Sequence, residues 1–518
     1  MTHRFARPKI LASQPIDRAA LVLMAVLAGV IGLLLLGGDH ASPRVRDFSW
    51  QERQVGAAET AFLLTFSRPM EHASVEQNLQ IEPPLPGKVS WAGRRMAYTL
   101  LNPAPYGTEY ELRLQGARDR FSKAATKNPL QPFVSKFRSR DRAFIYLGVE
   151  GDEAGRLVLE NLTQKTREIL TPPSLGVFDY KPYPEGDRIL FSALDRNNQT
   201  QDNLNTSLYT VTTGVNPRSP ERSIGKGSSA NLQANVSSSP SSTPQPAKIV
   251  QLVLDTADYQ NLKFDLSPDG QVIAVQRVNR KNPADFGLWI VKSGEAPRPL
   301  KTDPGGDFMI APDSASIAMA QGQGMALLPL DAAADPLDFL PKFGVVLSFA
   351  NDGSAAAMVQ FNRDPTNPTR SLFLITNQGK ETELLKTDGS FLNAQFDPTK
   401  TLLYVLLTKR VLGDQYIEQP FLVAVNLKTG KRTDLLVLPI QRDIQMNLAP
   451  DGLAMMFDQA VSTEDGSADE GVAQGSDGRA IATSRLWLLP LQIDADGNPT
   501  KMQPQELGVN GLRPYWLP

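Results

Sequence analysis

At 518 residues, 41% hydrophobic and 21% charged, the chain exceeds what one hydrophobic core usually organises, so at least two globular units are expected. A formal net charge of −2 offers no basic excess to recruit nucleic acid, which drops out as a main partner. There is no Cys, and the three His are His3, His40 and His72; disulfides, thiolate chemistry and, beyond residue 72, imidazole catalysis or ligation are therefore excluded.

Residues 1–18 carry Arg4, Arg7, Lys9 and Arg18 and precede an uncharged run, residues 19–38, that reads AALVLMAVLAGVIGLLLLGG. That length suits an α-helix crossing a hydrocarbon layer about 30 Å thick. The basic flank favours a cytoplasmic N-terminus and places the bulk of the chain in the periplasm of a bacterial envelope. A cleaved signal peptide is the rival reading, but the run is long and Asp39 stands where a small residue should precede a cut. Residues 39–47 read as a linker.

Residues 48–140 hold short alternating runs, AFLLTF, LQIEP, KVSW, MAYTL, TEYELRL and FVSKF, separated by Pro and Gly. This spacing predicts an antiparallel sandwich of immunoglobulin size. The stretch Phe66-Ser67-Arg68-Pro69-Met70 together with Tyr106-Gly107-Thr108-Glu109-Tyr110 resembles the bacterial SbsA-type Ig-like domain. That resemblance implies an extracytoplasmic spacer or adhesive module without an active site. The basic stretch 118–127, with Arg118, Arg120, Lys123 and Lys127, departs from the family and reads as a solvated loop.

From residue 141 to 518 one cassette recurs: strand, a turn like S-P-D-G, strand, loop, strand. It appears as YKPYPEGDRILF, FDLSPDGQVIAV, FMIAPDSASIAM, LSFANDGSAAAMV, AQFDPTKTLLYVL and MNLAPDGLAMMF. The turn needs one pre-set φ and one positive φ, hence Pro and Gly. A period of about forty to fifty residues matches a propeller blade. Six cassettes make six blades, and a seventh is assembled from RAFIYLG near residue 142 and the final LRPYWLP, so that the C-terminal strand closes the ring. Trp516 then takes the position of Leu266, Ile310, Phe396 and Leu448 and is expected between blades. The constellation resembles the TolB-like, or WD-like, β-propeller family, whose repeat turn is complete only at Leu266-Ser267-Pro268-Asp269-Gly270. The fold expected overall is all-β. Residues 228–246 and 463–480, rich in small and polar residues, read as disordered loops within the second and seventh blades.

No phosphate loop, no H-E-x-x-H and no G-x-S-x-G is present. The string Asp494-Ala495-Asp496-Gly497-Asn498 resembles part of a calcium loop but lacks its later Glu and reads equally as a hairpin turn. Met455-Met456 reads as blade packing. Counting five residues back from each turn Pro gives Asp179, Lys263, Asp307, Val345, Asn393, Gln445 and Arg513, polar except Val345, and this set is expected to line the channel mouth; the alternative is that these side chains simply wet a water-filled funnel. No cofactor, metal or catalytic residue is assigned, and a non-enzymatic role is expected. The leading reading is a membrane-anchored binding or scaffold protein whose propeller engages an envelope protein or assembly. Cell-wall or carbohydrate recognition near Trp91 and Tyr106 is a second reading, and a propeller enzyme a third.

Overall fold

Alternation is the plainest signal in the chain, and it folds as written: in Ala61–Phe66 the side chains of Phe62, Leu64 and Phe66 are buried while Leu63 faces solvent. A period of two places every second residue on one face of a pleated strand. The computed structural model describes residues 15–36, 42–120, 129–197, 206–215, 246–331, 337–362, 364, 366, 368–413, 415–441, 443–462 and 481–518. Apart from the helices α1 (Pro15–Leu36) and α2 (His72–Asn78) and one short 3-10 turn, these residues form strands, turns and loops.

The first unit has eight strands: β1 (Val45–Phe48), β2 (Gln54–Val55), β3 (Ala61–Phe66), β4 (Leu79–Glu82), β5 (Gly87–Ala92), β6 (Arg95–Leu100), β7 (Glu109–Leu114) and β8 (Phe133–Ser139). They make two four-stranded sheets, in the orders β1-β3-β6-β5 and β2-β8-β7-β4. Both press on one core, in which the Phe48 and Phe62 rings meet edge to face at 5.2 Å and Trp50 packs on Phe137 at 5.2 Å. All six predicted strand runs are present. The first strand starts at Val45, inside the segment read as linker, and α2 has no counterpart in the predicted elements.

Between residues 143 and 516 the described residues form seven four-stranded antiparallel sheets. Six follow chain order, strand by strand. The remaining sheet joins Gly511–Trp516 to Ala143–Gly148, with Gly511 opposite Gly148 and Trp516 opposite Phe144. First strands of neighbouring sheets touch directly: Lys181 pairs with Asp265, Asp265 Oδ2 accepts from Ile310 N at 2.7 Å, and Gln395 Nε2 donates to Met446 O at 2.9 Å. Such sheets around a common axis are the arrangement of a β-propeller.

The turns explain the cassette. Gly186, Gly270, Gly353 and Gly452 hold φ between 70° and 74°, and where the Gly is missing Ser314 and Lys400 adopt φ of 56° and 57° instead. A non-Gly residue tolerates this region only at some cost. Asp269 Oδ1 accepts from Ser267 Oγ at 2.6 Å and Gln271 N at 3.0 Å, tying the turn to its own carboxylate.

Among the described residues no helix is long and apolar enough to cross a membrane. The span expected at 19–38 runs past those residues at its C-terminal end. Residues 121–128, 216–245 and 463–480 also lie outside them, so the two loops and most of the basic stretch receive no structural account.

Candidate functional site

The propeller strands run as up-and-down meanders, so the turn from first to second strand and the turn from third to fourth lie at one end of every sheet. The hairpin from second to third strand, and the start of each first strand, lie at the other. Asp179, Lys263, Asn393 and Arg513 lie within the first strands of their sheets and Asp307 and Gln445 one residue before theirs, whereas the fifth sheet has Val345 and Val346 at this place. Five first strands carry a register shift, which re-aims a side chain, and in three of them it falls immediately before the expected polar residue. In Leu175–Pro182 the register shifts between Val177 and Asp179, in Tyr259–Leu266 between Asn261 and Lys263, and in Phe391–Phe396 between Phe391 and Asn393. The extra residues, Phe178, Leu262 and Leu392, are 46%, 50% and 36% exposed. An exposed apolar residue therefore precedes an expected polar one in three sheets.

The structure brings most of the expected residues together. Lys263 Nζ pairs with Asp307, and Arg513 Nη1 lies 3.5 Å from Asp179 Oδ1 while donating to Phe178 O at 2.5 Å. Gln445 and Arg513 are linked through Asp458, whose Oδ1 accepts from Gln445 N and whose Oδ2 accepts from Arg513 N, each at 2.7 Å. Asn393 stands apart, accepting from Gln395 Nε2 of its own strand at 3.2 Å. In the fifth sheet the residue five before the turn position Asn351 is Val346, buried and opposite Met358, which replaces Val345 in the series.

Three charged residues join the site that counting from Pro did not find: Lys181 and Asp265, both three residues before their turn Pro, and Asp458 on the second strand of the seventh sheet. Only Asp458 carried a signal in the sequence, a charge following the apolar run Ala454–Phe457. Asp458 is 1% exposed, and burial pushes its carboxyl up to about 6 against the two backbone N–H groups and the Arg513 charge that favour the carboxylate. Asp179 opens to the space between the first strands yet is ringed by protein. Desolvation raises its carboxyl, with Arg513 opposing. Desolvation likewise lowers the Lys263 ammonium, with Asp265 opposing. The result is four carboxylates and three cations in alternation, bordered by apolar side chains, a surface suited to polar and apolar contact with a ligand.

Among the described residues no group of three or more His, Asp or Glu side chains could hold a metal ion. The Asp494 string forms a turn: Asp494 Oδ1 accepts from Asp496 N at 3.0 Å and Asn498 N at 2.8 Å. Met455 and Met456 are fully buried, as blade packing requires. Tyr106 is no exposed aromatic. It is 6% exposed, its hydroxyl accepts from Ala57 N at 3.0 Å, and burial raises it to about 12.

The opposite, turn end of the propeller meets the first unit. Asp451, in the turn of the seventh sheet, accepts from Tyr106 N at 2.9 Å and from Arg142 Nη2 at 2.7 Å. Arg140 Nη1 donates to Pro518 O at 2.8 Å, and its Nη2 donates to Glu185 Oε2, in the turn of the second sheet, at 3.1 Å. Arg142 N donates to Thr163 Oγ1 at 2.8 Å. Gly107, at φ 75°, approaches so closely that a Cβ there would lie 2.6 Å from Thr163 Oγ1.

No family model matches the chain, and the curated proteins yield no match. Solved structures are similar in fold. TolB from Acinetobacter baumannii is similar at 10% identity and a TM-score of 0.37, over 85% of this chain and 83% of that one. An oligogalacturonate lyase in complex with manganese is similar at 12% identity and a TM-score of 0.41, over 58% of this chain and 79% of that one. A protein described as a 6-phosphogluconolactonase from Bacteroides uniformis is similar at 10% and 0.40, over 72% and 98%. Likeness at this distance does not specify chemistry.

Proposed function

We propose that the chain is a membrane-anchored, periplasmic binding or scaffold protein of the bacterial envelope, in which an SbsA-like Ig-like unit carries a seven-bladed TolB-like propeller closed by its C-terminal strand, and that it acts by protein–protein interaction rather than catalysis. The observation that carries this reading is the placement of the first unit. Tyr106 N on Asp451, Arg140 on Glu185 and Pro518, and the close approach of Gly107 to Thr163 all fall on the turn end of the propeller. The end bearing Asp179, Lys263, Asp307, Gln445 and Arg513 is thereby turned away from the N-terminal segment and left open to a partner.

The anchor reading has its own support. Along α1 the side chains of Val22, Leu23, Met24, Val26, Leu27, Val30 and Ile31 are all exposed, between 49% and 64%; at 3.6 residues per turn they cover somewhat more than half of the circumference, and exposed Ala25, Ala28 and Gly29 lie on the remainder. A helix apolar all round belongs in a lipid or a protein interior, not in water. The N-terminus is then cytoplasmic and the propeller outside.

A photo-crosslinking amino acid placed at Phe178, Leu262 or Leu392 tests the reading in intact cells, with Ile493 on the turn end as the comparison. Crosslinks to another envelope protein are expected at the first three positions and not at Ile493. Crosslinks at Ile493 alone would reverse the orientation, and a hydrolytic or lyase activity lost in Asp307→Ala would replace the binding reading with an enzymatic one.

A further inference from the structure

The first unit has an open flank. In the order β2-β8-β7-β4 the strand β4 is terminal, and in β1-β3-β6-β5 so is β5; among the described residues neither has a strand on its outer side. An edge strand presents unpaired N–H and C=O groups that template another strand. A cleft of about 710 Å³ runs along β4, bounded by Leu79, Ile81, Val89 and Tyr98 on one side and by Glu82 and Glu111 on the other. Ligand clefts commonly fall between about 300 and 1,000 Å³.

The walls are set in advance. The Tyr98 ring stacks on Phe62 at 5.0 Å, its hydroxyl donates to Leu85 O at 2.7 Å, and it lies where a Cβ on Gly87 would stand. Leu79, Ile81 and Val89 are only half-buried although they pack on the core. Their inner faces are therefore covered and their outer faces wait for apolar contact.

The charge pattern states what would cover them. Ile81 and Leu79 pair with Leu112 and Leu114 on the core face of the sheet, whereas Glu82 stands directly opposite Glu111 on the outer face. Like charges directly opposed across a strand pair are destabilising. Arg113 pairs with Glu111, which leaves Glu82 without an ion-pair partner among the described residues. A strand added beside β4 would set alternate side chains toward Ile81 and Leu79 and the others toward Glu82. From this we infer that the β4 edge is a docking site for an extended polypeptide segment in which apolar and basic residues alternate, bound by strand addition. The site is separate from the propeller and does not depend on the reading proposed for it.

The test uses the full chain in an uncharged detergent and a fluorescein-labelled hexapeptide, acetyl-Lys-Val-Lys-Val-Lys-Val-amide, followed by anisotropy. Saturable binding is expected. It should weaken at least tenfold with Glu82→Lys, vanish when alternate backbone nitrogens of the peptide are methylated, and be absent for the Glu-Val counterpart, which Glu82→Lys should begin to bind. Should Glu82→Lys disturb folding, seen by circular dichroism, Glu111→Lys provides the same reversal from the neighbouring strand. No binding of the Lys-Val peptide, or equal binding of the methylated one, would overturn strand addition; binding unaffected by either charge reversal would overturn the basic pattern.

Discussion

Arg142 Nη2 donates to Asp451 Oδ2 at 2.7 Å across 309 residues of sequence, and the same oxygen accepts from Tyr106 N at 2.9 Å. The Asp451 side chain is 1% exposed and the Arg142 side chain 29%. One carboxylate thus joins the first unit, the segment that leaves it and the seventh sheet of the propeller.

Replacing Arg142 with Ala leaves that buried carboxylate without its cation. Hydrogen bonds to charged groups contribute about 1.5–3 kcal/mol, so a loss of this order is expected. Scanning calorimetry should then show the first unit and the propeller melting further apart. An unchanged single transition would mean that the junction does not couple them.

Trp516 is 2% exposed and meets the Phe144 ring edge to face at 5.7 Å, in a cluster that also holds Met456 and Leu486 of the seventh sheet. Trp516→Ala is expected to destabilise the propeller by about 3–5 kcal/mol, the usual cost of deleting a large buried aromatic. Trp50→Ala, in the core of the first unit, should unfold that unit and spare the propeller transition. Urea denaturation read by circular dichroism separates the two.

Asp458 makes a pH signature. Its folded carboxyl keeps a proton up to about 6, whereas an unfolded Asp releases it near 4. The folded chain binds more protons in that window, so the contribution of this group to stability is complete below about pH 4 and is lost as pH rises through 6. Two pH units at ~1.4 kcal/mol each amount to roughly 3 kcal/mol. Asp458→Asn should flatten the stability profile between pH 4 and 6 relative to the unaltered chain; identical slopes would show that the carboxyl does not titrate there.

Lys263 and Asp307 form an ion pair whose side chains are 43% and 52% exposed. Exposed pairs contribute about 0.2–1 kcal/mol, so Lys263→Ala with Asp307→Ala should barely move the melting temperature. Capture of a partner from gently solubilised membranes should fall with the same pair of changes. Retained capture would remove these two residues from the binding surface.

The sequence by itself determined the strands, the turns and the repeat, because each is local. Alternation marks a half-buried strand within six residues, as in Ala61–Phe66, and S-P-D-G specifies φ values within four. Even the pairing of Gly511–Trp516 with Ala143–Gly148 was legible, since one sheet lacked a first strand and the chain ended on one. Tertiary structure alone decided which charges meet. Lys181 and Asp265 stand 84 residues apart, Asp458 and the Arg513 N–H it accepts from 55, and no periodicity encodes a contact between separate sheets. Tyr106 is buried, with its N–H bonded to Asp451 of the seventh sheet and its hydroxyl to Ala57 N, a placement that no run of residues reveals. The bulges that turn Phe178, Leu262 and Leu392 outward, and the like-charged pair Glu82 and Glu111 at an open edge, are equally invisible along the chain. They follow from register, which is set by the neighbouring strand and not by the residues within one.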